Sequence, residues 1–317
     1  MNTLESSKDE YLVHCTYSKS LSANTIRAYD QDISDFCRFA GPRTDPSTVT
    51  SEQIASYLQT LSGHRKLSAA TARRRMACLK CFFSWLQATS AIERTPFADL
   101  RLSIKLPRRL PRTVTRHELK QMTAAVSSRT GDRAWRNEPR APAMSPTDPR
   151  TTTYLAIMLM AATGIRVGEL VRISPRDIDL DEGRIRIHGK GSRERTVFVA
   201  NETLTDSLRS YLGSRRSLLD CAGRLLLNSR GRPLSEQALR LRLRKLADKV
   251  GLERRITPHM LRHTAATLLL EEGVDIRFVQ RLLGHQCIST TEIYTHVTDT
   301  SLRAALLHAD PIGRMRL

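Results

Sequence analysis

The sequence predicts a mainly α-helical protein in two domains, with a small β-sheet confined to the second. Three observations carry that expectation. Apolar residues recur at three- and four-residue steps through most of the chain. One short stretch alternates apolar and polar residues beside a glycine-rich turn, and a proline-bounded basic segment separates two apolar-rich regions. With 317 residues and 40% hydrophobic content, the chain can fill two ordinary cores.

The first hundred residues read as entirely helical. Ser22 or Asn24 caps a helix whose Ile26, Tyr29, Ile33 and Phe36 share one face. Ser51 opens a shorter helix with Ile54, Tyr57, Leu58 and Leu61 inward. Ser68 opens a third, striped by Ala72, Met76, Leu79, Phe83 and Leu86. Away from that stripe stand Arg73, Arg74, Arg75 and Lys80. A basic helix face is also what ordinary solvated surface looks like. The charge of the whole chain favours phosphate contact, with some side chains able to reach base edges. Residues 1–100 thus form the predicted N-terminal helical, DNA-binding domain.

After Pro96, residues 101–112 read as an extended basic linker carrying Lys105, Arg108 and Arg109 around Pro107 and Pro111. These three are further candidate DNA contacts. Thr115 followed by Glu118 is a capping box, so the second domain, 113–317, restarts as helix. Ser127 to Arg150 is polar and proline-rich and reads as a long loop. It is an inert insertion, a DNA contact through Arg129, Arg133, Arg136 and Arg140, or a partner-binding segment. From Thr151 an apolar helix runs to Thr163. Arg184–His188 and Thr196–Val199 are β-prone and flank Gly189-Lys190-Gly191-Ser192, a hairpin turn. The rest is again mostly helical, and no internal repeat is evident.

Charge is the first functional clue. Lysines and arginines number 51 against 32 acidic residues, a net +19, and a polyanionic partner explains that balance most simply. No apolar run approaches the ~20 residues that cross a bilayer, and Met1–Lys19 is too polar for a signal peptide, so the expected location is the cytoplasm, on the nucleoid. Of the six cysteines only Cys78 and Cys81 are close in sequence; both read as reduced core residues, with neither disulfide framework nor zinc site.

Four stretches of the second domain carry polar residues with no packing role. In the first, Gly164 breaks an apolar helix and Arg166 follows, with Glu169 three residues on to orient its guanidinium. Lys190 stands in the second, between glycines at the hairpin tip. The third is Pro258-His259-Met260-Leu261-Arg262-His263, where His259 and Arg262 share a helix face. The fourth is Leu282-Leu283-Gly284-His285, followed nine residues later by Tyr294 and then His296. Singly these are a surface pair, a turn, a zinc-like His pair spoiled by its arginine, and a packing tyrosine. Together they are an inventory for attacking a phosphodiester. Guanidiniums fork the non-bridging oxygens, cations draw the phenol towards its nucleophilic form, and lysine and histidine move protons.

The segments around Arg166, Lys190, His259–Arg262 and His285–Tyr294, in that order, resemble the tyrosine recombinase (phage integrase) family, above all its Xer-type recombinases and transposon integrases. Ser22-Ala23-Asn24-Thr25-Ile26-Arg27-Ala28-Tyr29 is similar to that family's core-binding domain. The resemblance covers nearly the whole chain and implies an all-α SAM-like domain followed by an α+β catalytic domain. It implies a site-specific recombinase that needs no cofactor. Tyr294 is then the nucleophile, Arg166 and Arg262 bind the phosphate, and Lys190 is the general acid. His259 assists proton transfer, His285 bonds the phosphate, and Glu169 supports Arg166. It also implies a double-stranded DNA partner with a specific site, and homotetramers acting through a Holliday junction for integration, excision or resolution. A second recombinase or an accessory factor is compatible with it. Leu302, Ala305, Leu306 and Leu307 form a short apolar tail helix, folded back on its own domain or docked on a neighbouring protomer. The rivals are a type IB topoisomerase-like enzyme, which the helical domain and tail disfavour, and a DNA-binding regulator without catalysis. The 127–150 loop is longer than the compact Xer pattern and speaks against a housekeeping chromosome-dimer resolvase.

Overall fold

The computed structural model describes residues 3–100, 104, 112–127, 144–189, 194–215 and 223–284. It divides into two compact units, Met1–Arg108 and Arg109–Leu317.

The first unit contains helices α1 (Leu4–Tyr17), α2 (Ala23–Ala40), α3 (Ser51–Gln59) and α4 (Ala69–Ala88). Ser22 and Ser68 cap α2 and α4 as the sequence suggests, and α3 starts at Ser51 as expected, capped by Thr50 in a reciprocal pair with Gln53. Helix α1 falls in the region read as helical but is not among the three helices the sequence singles out. Its buried face is Leu4, Ser7, Tyr11 and Cys15, a stripe with too few strongly apolar members to stand out in a polar segment. The predicted stripe of α4 is buried throughout, with Phe82 added. Cys78 lies in that core, but Cys81 is exposed, which corrects the reading of both thiols as internal. Burial pushes the Cys78 thiol up, towards an inert neutral group.

The second unit is organised around α6 (Pro149–Thr163), buried on nearly all sides as an apolar helix must be. Asp148 caps it and Pro149 occupies its first turn, so it starts two residues before the expected Thr151. Helices α5 (Arg116–Ser127), α8 (Glu202–Ser214), α9 (Glu236–Lys249) and α10 (Pro258–Glu271) pack around it. Between them come the one-turn helix α7 (Val167–Leu170) and the antiparallel strands β1 (Ile178–Asp179), β2 (Arg184–His188) and β3 (Glu194–Phe198), in that order across the sheet. Helix α11 (Ile276–Leu283) packs on α10 and β3.

Strand β2 alternates as predicted, with Ile185 and Ile187 buried. Strand β3 starts at Glu194 rather than Thr196 because pairing of His188 with Glu194 and of Ile187 with Arg195 recruits two residues of low intrinsic strand preference. The entrance to this unit is fastened by side chains. Thr115 and Glu118 cap α5 reciprocally, and Arg254 donates to the Thr113 carbonyl at 2.7 Å. The Val114 amide donates to the Thr264 hydroxyl of α10 at 2.7 Å, and that hydroxyl lies 3.3 Å from the Val114 carbonyl. Among the described residues no helix is long and apolar enough to cross a membrane.

Candidate active site

Arg166 is placed by the end of α6. Gly164 adopts the left-handed conformation at φ 61° and its amide closes the helix on Met160. A Cβ at Gly164 would lie 2.5 Å from Leu283 Cδ2, so the turn also lets α11 approach closely. Arg166 then caps α7. The Glu169 side chain accepts from the Arg166 amide at 3.0 Å and from its Nη1 at 2.9 Å, the orienting contact read from their spacing.

Glu169 is only 5% exposed and also serves a residue that sequence reasoning missed. Arg195, on β3, donates Nη1 and Nη2 to the two Glu169 oxygens, both at 2.8 Å, and Nε to the Leu282 carbonyl at 2.9 Å. A signal was there: period two puts Arg195 on the same face of β3 as buried Val197, and an inward arginine needs an anionic partner. Burial works against the Glu169 charge, but the Arg195 fork and the Arg166 bonds prevail and hold its pKa at about 2.

Helix α10 supplies the next group. Thr257 caps it and Pro258 begins it. Arg262, 4% exposed, donates Nη1 to the Gly164 carbonyl at 2.6 Å and Nη2 to the Leu283 carbonyl at 2.7 Å. His259, one turn earlier, is exposed. Although the residue reaches solvent, partial desolvation of the ring by surrounding protein lowers its pKa, and the cations of Arg262, Arg240 and Arg166 lower it further, which favours the neutral, proton-accepting form. Burial, with His259 and Arg262 nearby, does the same to His263. Among the described residues no group of three His, Cys, Asp or Glu could hold a metal.

These contacts converge on one place. Arg195, Arg262 and Arg166 reach three successive carbonyls at the end of α11, those of Leu282, Leu283 and Gly284, the last at 3.4 Å from Arg166 Nη2. Terminal helix carbonyls carry the negative end of the helix dipole, so they hold guanidiniums without cancelling their charge. The result is a cationic cluster with Arg166 on its open side, its side chain 41% exposed. His285 follows Gly284 in sequence; His285, Tyr294 and Lys190 lie outside the described residues, as do Lys105, Arg108 and Arg109.

The basic face of α4 divides in two. Arg73 and Lys80 are exposed. Arg75 is 13% exposed and turned inward, bonded to Asp35 and 3.6 Å from Asp32, which bears on its expected role as a DNA contact. Arg74, half exposed, is bonded to Asp32, with Nη2 at 3.0 Å.

Residues 139–301 match the model of the phage integrase family, and residues 9–89 match that of the phage integrase N-terminal SAM-like domain. A tyrosine recombinase of Agathobacter rectalis is 31% identical over 315 residues, covering 98% of each chain. The tyrosine recombinase XerC of Roseiflexus sp. RS-1 is 35% identical over 300 residues, 92% of this chain and 90% of that one. In fold the chain resembles the XerH site-specific recombinase bound to its difH substrate, with a TM-score of 0.72 at 24% identity over 94% of this chain and 83% of that one. The arginine-rich junction described above thus sits in a match that runs almost end to end, and the chain belongs to the phage integrase family.

Proposed function

We propose that this protein is a site-specific tyrosine recombinase that cuts and rejoins DNA with Tyr294 as its nucleophile. The phenolic oxygen attacks the scissile phosphorus and forms a 3′-phosphotyrosyl bond, while the bond from phosphorus to the 5′ oxygen breaks. Neutral His259 takes up the phenolic proton, and Lys190 donates one to the departing 5′ oxygen. Arg166 and Arg262 stabilise the charge that grows on the non-bridging oxygens, and His285 adds a hydrogen bond. Glu169 keeps Arg166 in place. The phosphotyrosyl link conserves the bond energy, so a 5′-hydroxyl from another strand reverses the step and reseals DNA without ATP. Four copies of the chain hold two duplexes and exchange one pair of strands at a time. Arg73 and Lys80 contact the DNA backbone outside the reacting site.

The observation that carries this reading is the gathering of Arg166 and Arg262 on the carbonyls that end α11, with His259 one turn before Arg262 and within the influence of both guanidiniums; the sequence after α11 continues to His285 and Tyr294. The test is covalent capture on nicked duplexes, first selected from a pool with randomised arms by the wild-type chain. Wild type should accumulate a protein–DNA adduct on the selected duplex, and Tyr294→Phe should bind it without cutting. An adduct formed equally by Tyr294→Phe refutes the nucleophile. Native mass measurement of the complex with two duplexes checks the four-copy assembly.

A further inference from the structure

We infer that Arg195 is a positioning residue for strand cleavage, joining Glu169, and through it Arg166, to the end of α11, from which His285 and Tyr294 follow. The inference deepens the function proposed above and rests on it. Its ground is the way the five donors of one guanidinium are spent. Nη1 and Nη2 take both oxygens of Glu169, the carboxylate that grips Arg166 by amide and side chain. Nε takes the Leu282 carbonyl. The turn that ends α11 rests on the same side chain. Gly284 is left-handed at φ 66°, and a Cβ there would lie 3.2 Å from Arg195 Cδ and 3.3 Å from Nε.

Arg195 therefore ties three pieces of chain into one body: the α6–α7 turn, strand β3 and the end of α11. Its side chain is 15% exposed beside a carboxylate that is 5% exposed, so water does not loosen the fork. A lysine would keep the charge but not the planar fork, and it could not hold two carboxylate oxygens and a carbonyl together. Arg195 does not have to touch the phosphate for this. Its effect is that Arg166 cannot shift relative to the end of α11, after which His285 and Tyr294 follow in sequence, and displacements of about 1 Å suffice to cost roughly a hundredfold in rate.

The experiment compares wild type, Arg195→Gln, Arg195→Lys and Glu169→Gln on the selected nicked duplex, with thermal melting to confirm folding. Single-turnover capture is measured on the bound fraction. Arg195→Gln and Arg195→Lys should bind within a few-fold of wild type yet form adduct roughly a hundredfold more slowly. In Arg195→Gln the rate should also develop an acid limb, because a buried Glu169 without its forked partner takes up a proton at a higher pH. Glu169→Gln should be slow without that limb, and adding Arg195→Gln to it should cost little more. A merely structural pair would lower melting in both arginine variants but leave capture by the bound, folded fraction and its pH profile unchanged. That result, or restoration of wild-type capture by lysine, overturns the inference. Should Arg195→Gln not fold, Arg195→Lys decides alone. Adduct formation by Tyr294→Phe would instead indict the proposed function.

Discussion

Each unit builds an arginine–carboxylate network, and the two differ in which charges they withdraw from water. In the first, Asp32 and Asp35, both nearly inaccessible, are surrounded by Arg38, Arg65, Arg74 and Arg75, with the Tyr57 hydroxyl donating to Asp35 at 2.7 Å. Only Arg75 among these guanidiniums is drawn well out of water, so one buried cation faces two buried anions. In the second unit Arg195 and Arg262 are both withdrawn from water, and Glu169 is the carboxylate in contact with Arg195. In the first network burial pushes Asp32 up although Arg74 and Arg75 oppose it, while beside it, against burial, the Tyr57 hydroxyl and the guanidiniums of Arg75 and Arg65 draw Asp35 down. In the second Glu169 is driven down and the His259 ring with it. A network that buries more guanidinium than carboxylate is suited to an incoming anion, and one whose buried aspartates are saturated by guanidiniums serves to lock helices together.

The comparison breaks if the two networks behave alike when cut. Arg262→Gln should lower single-turnover cleavage of bound duplex by roughly 10³-fold, about 4 kcal/mol, as for a lost oxyanion donor or more. Arg75→Gln should lower the melting temperature and leave that step unchanged; a slowed step would erase the distinction.

Acid sharpens it. The folded pKa of Glu169, about 2, lies below its ordinary 4.5, so its stabilisation is complete above that ordinary value and is lost as pH falls towards 2. The amount is on the order of 3 kcal/mol, and denaturant titrations at pH 7 and pH 3 should show a smaller loss in Glu169→Gln than in wild type, the remainder coming from other carboxylates with depressed pKa such as Glu118. A smaller effect is expected at the α6–α7 turn of the second unit. Gly164→Ala meets both a left-handed φ and Leu283, and should cost about 2 kcal/mol in chemical denaturation. Smallest, Arg73→Ala and Lys80→Ala should each weaken DNA binding a few-fold and reduce the salt slope by roughly one, with the step rate unchanged.

Much of this was legible in the sequence because it is written in local spacing. Glu169 three residues after Arg166, Pro258 before His259, and the stripe of α4 all state their geometry within one or two helical turns. Arg195 was not read, because its meaning depends on Glu169, 26 residues away, and on Leu282, 87 residues away. For the same reason Arg73, Arg74 and Arg75 looked equivalent as neighbours on a basic helix. Only the packing of α2 against α4, which brings Asp32 and Asp35 alongside, separates Arg75 from Arg73. Helix α1 was not singled out because its inward positions include a serine and a cysteine, which packing buries and periodicity undervalues.

The fastening at Val114 determines where a free-standing catalytic fragment must begin. A truncation at Arg116, the first residue of α5, would preserve every helix of the second unit and look complete on paper. It would nevertheless delete the Thr115 cap, strip the Thr264 hydroxyl of its donor from Val114, and leave Arg254 without the Thr113 carbonyl. Thr264 lies two residues beyond Arg262, so the damage would be felt in the turn of α10 that holds the guanidinium. A cloning boundary drawn ahead of Thr113 avoids this, and helix limits alone are the wrong ruler for choosing it.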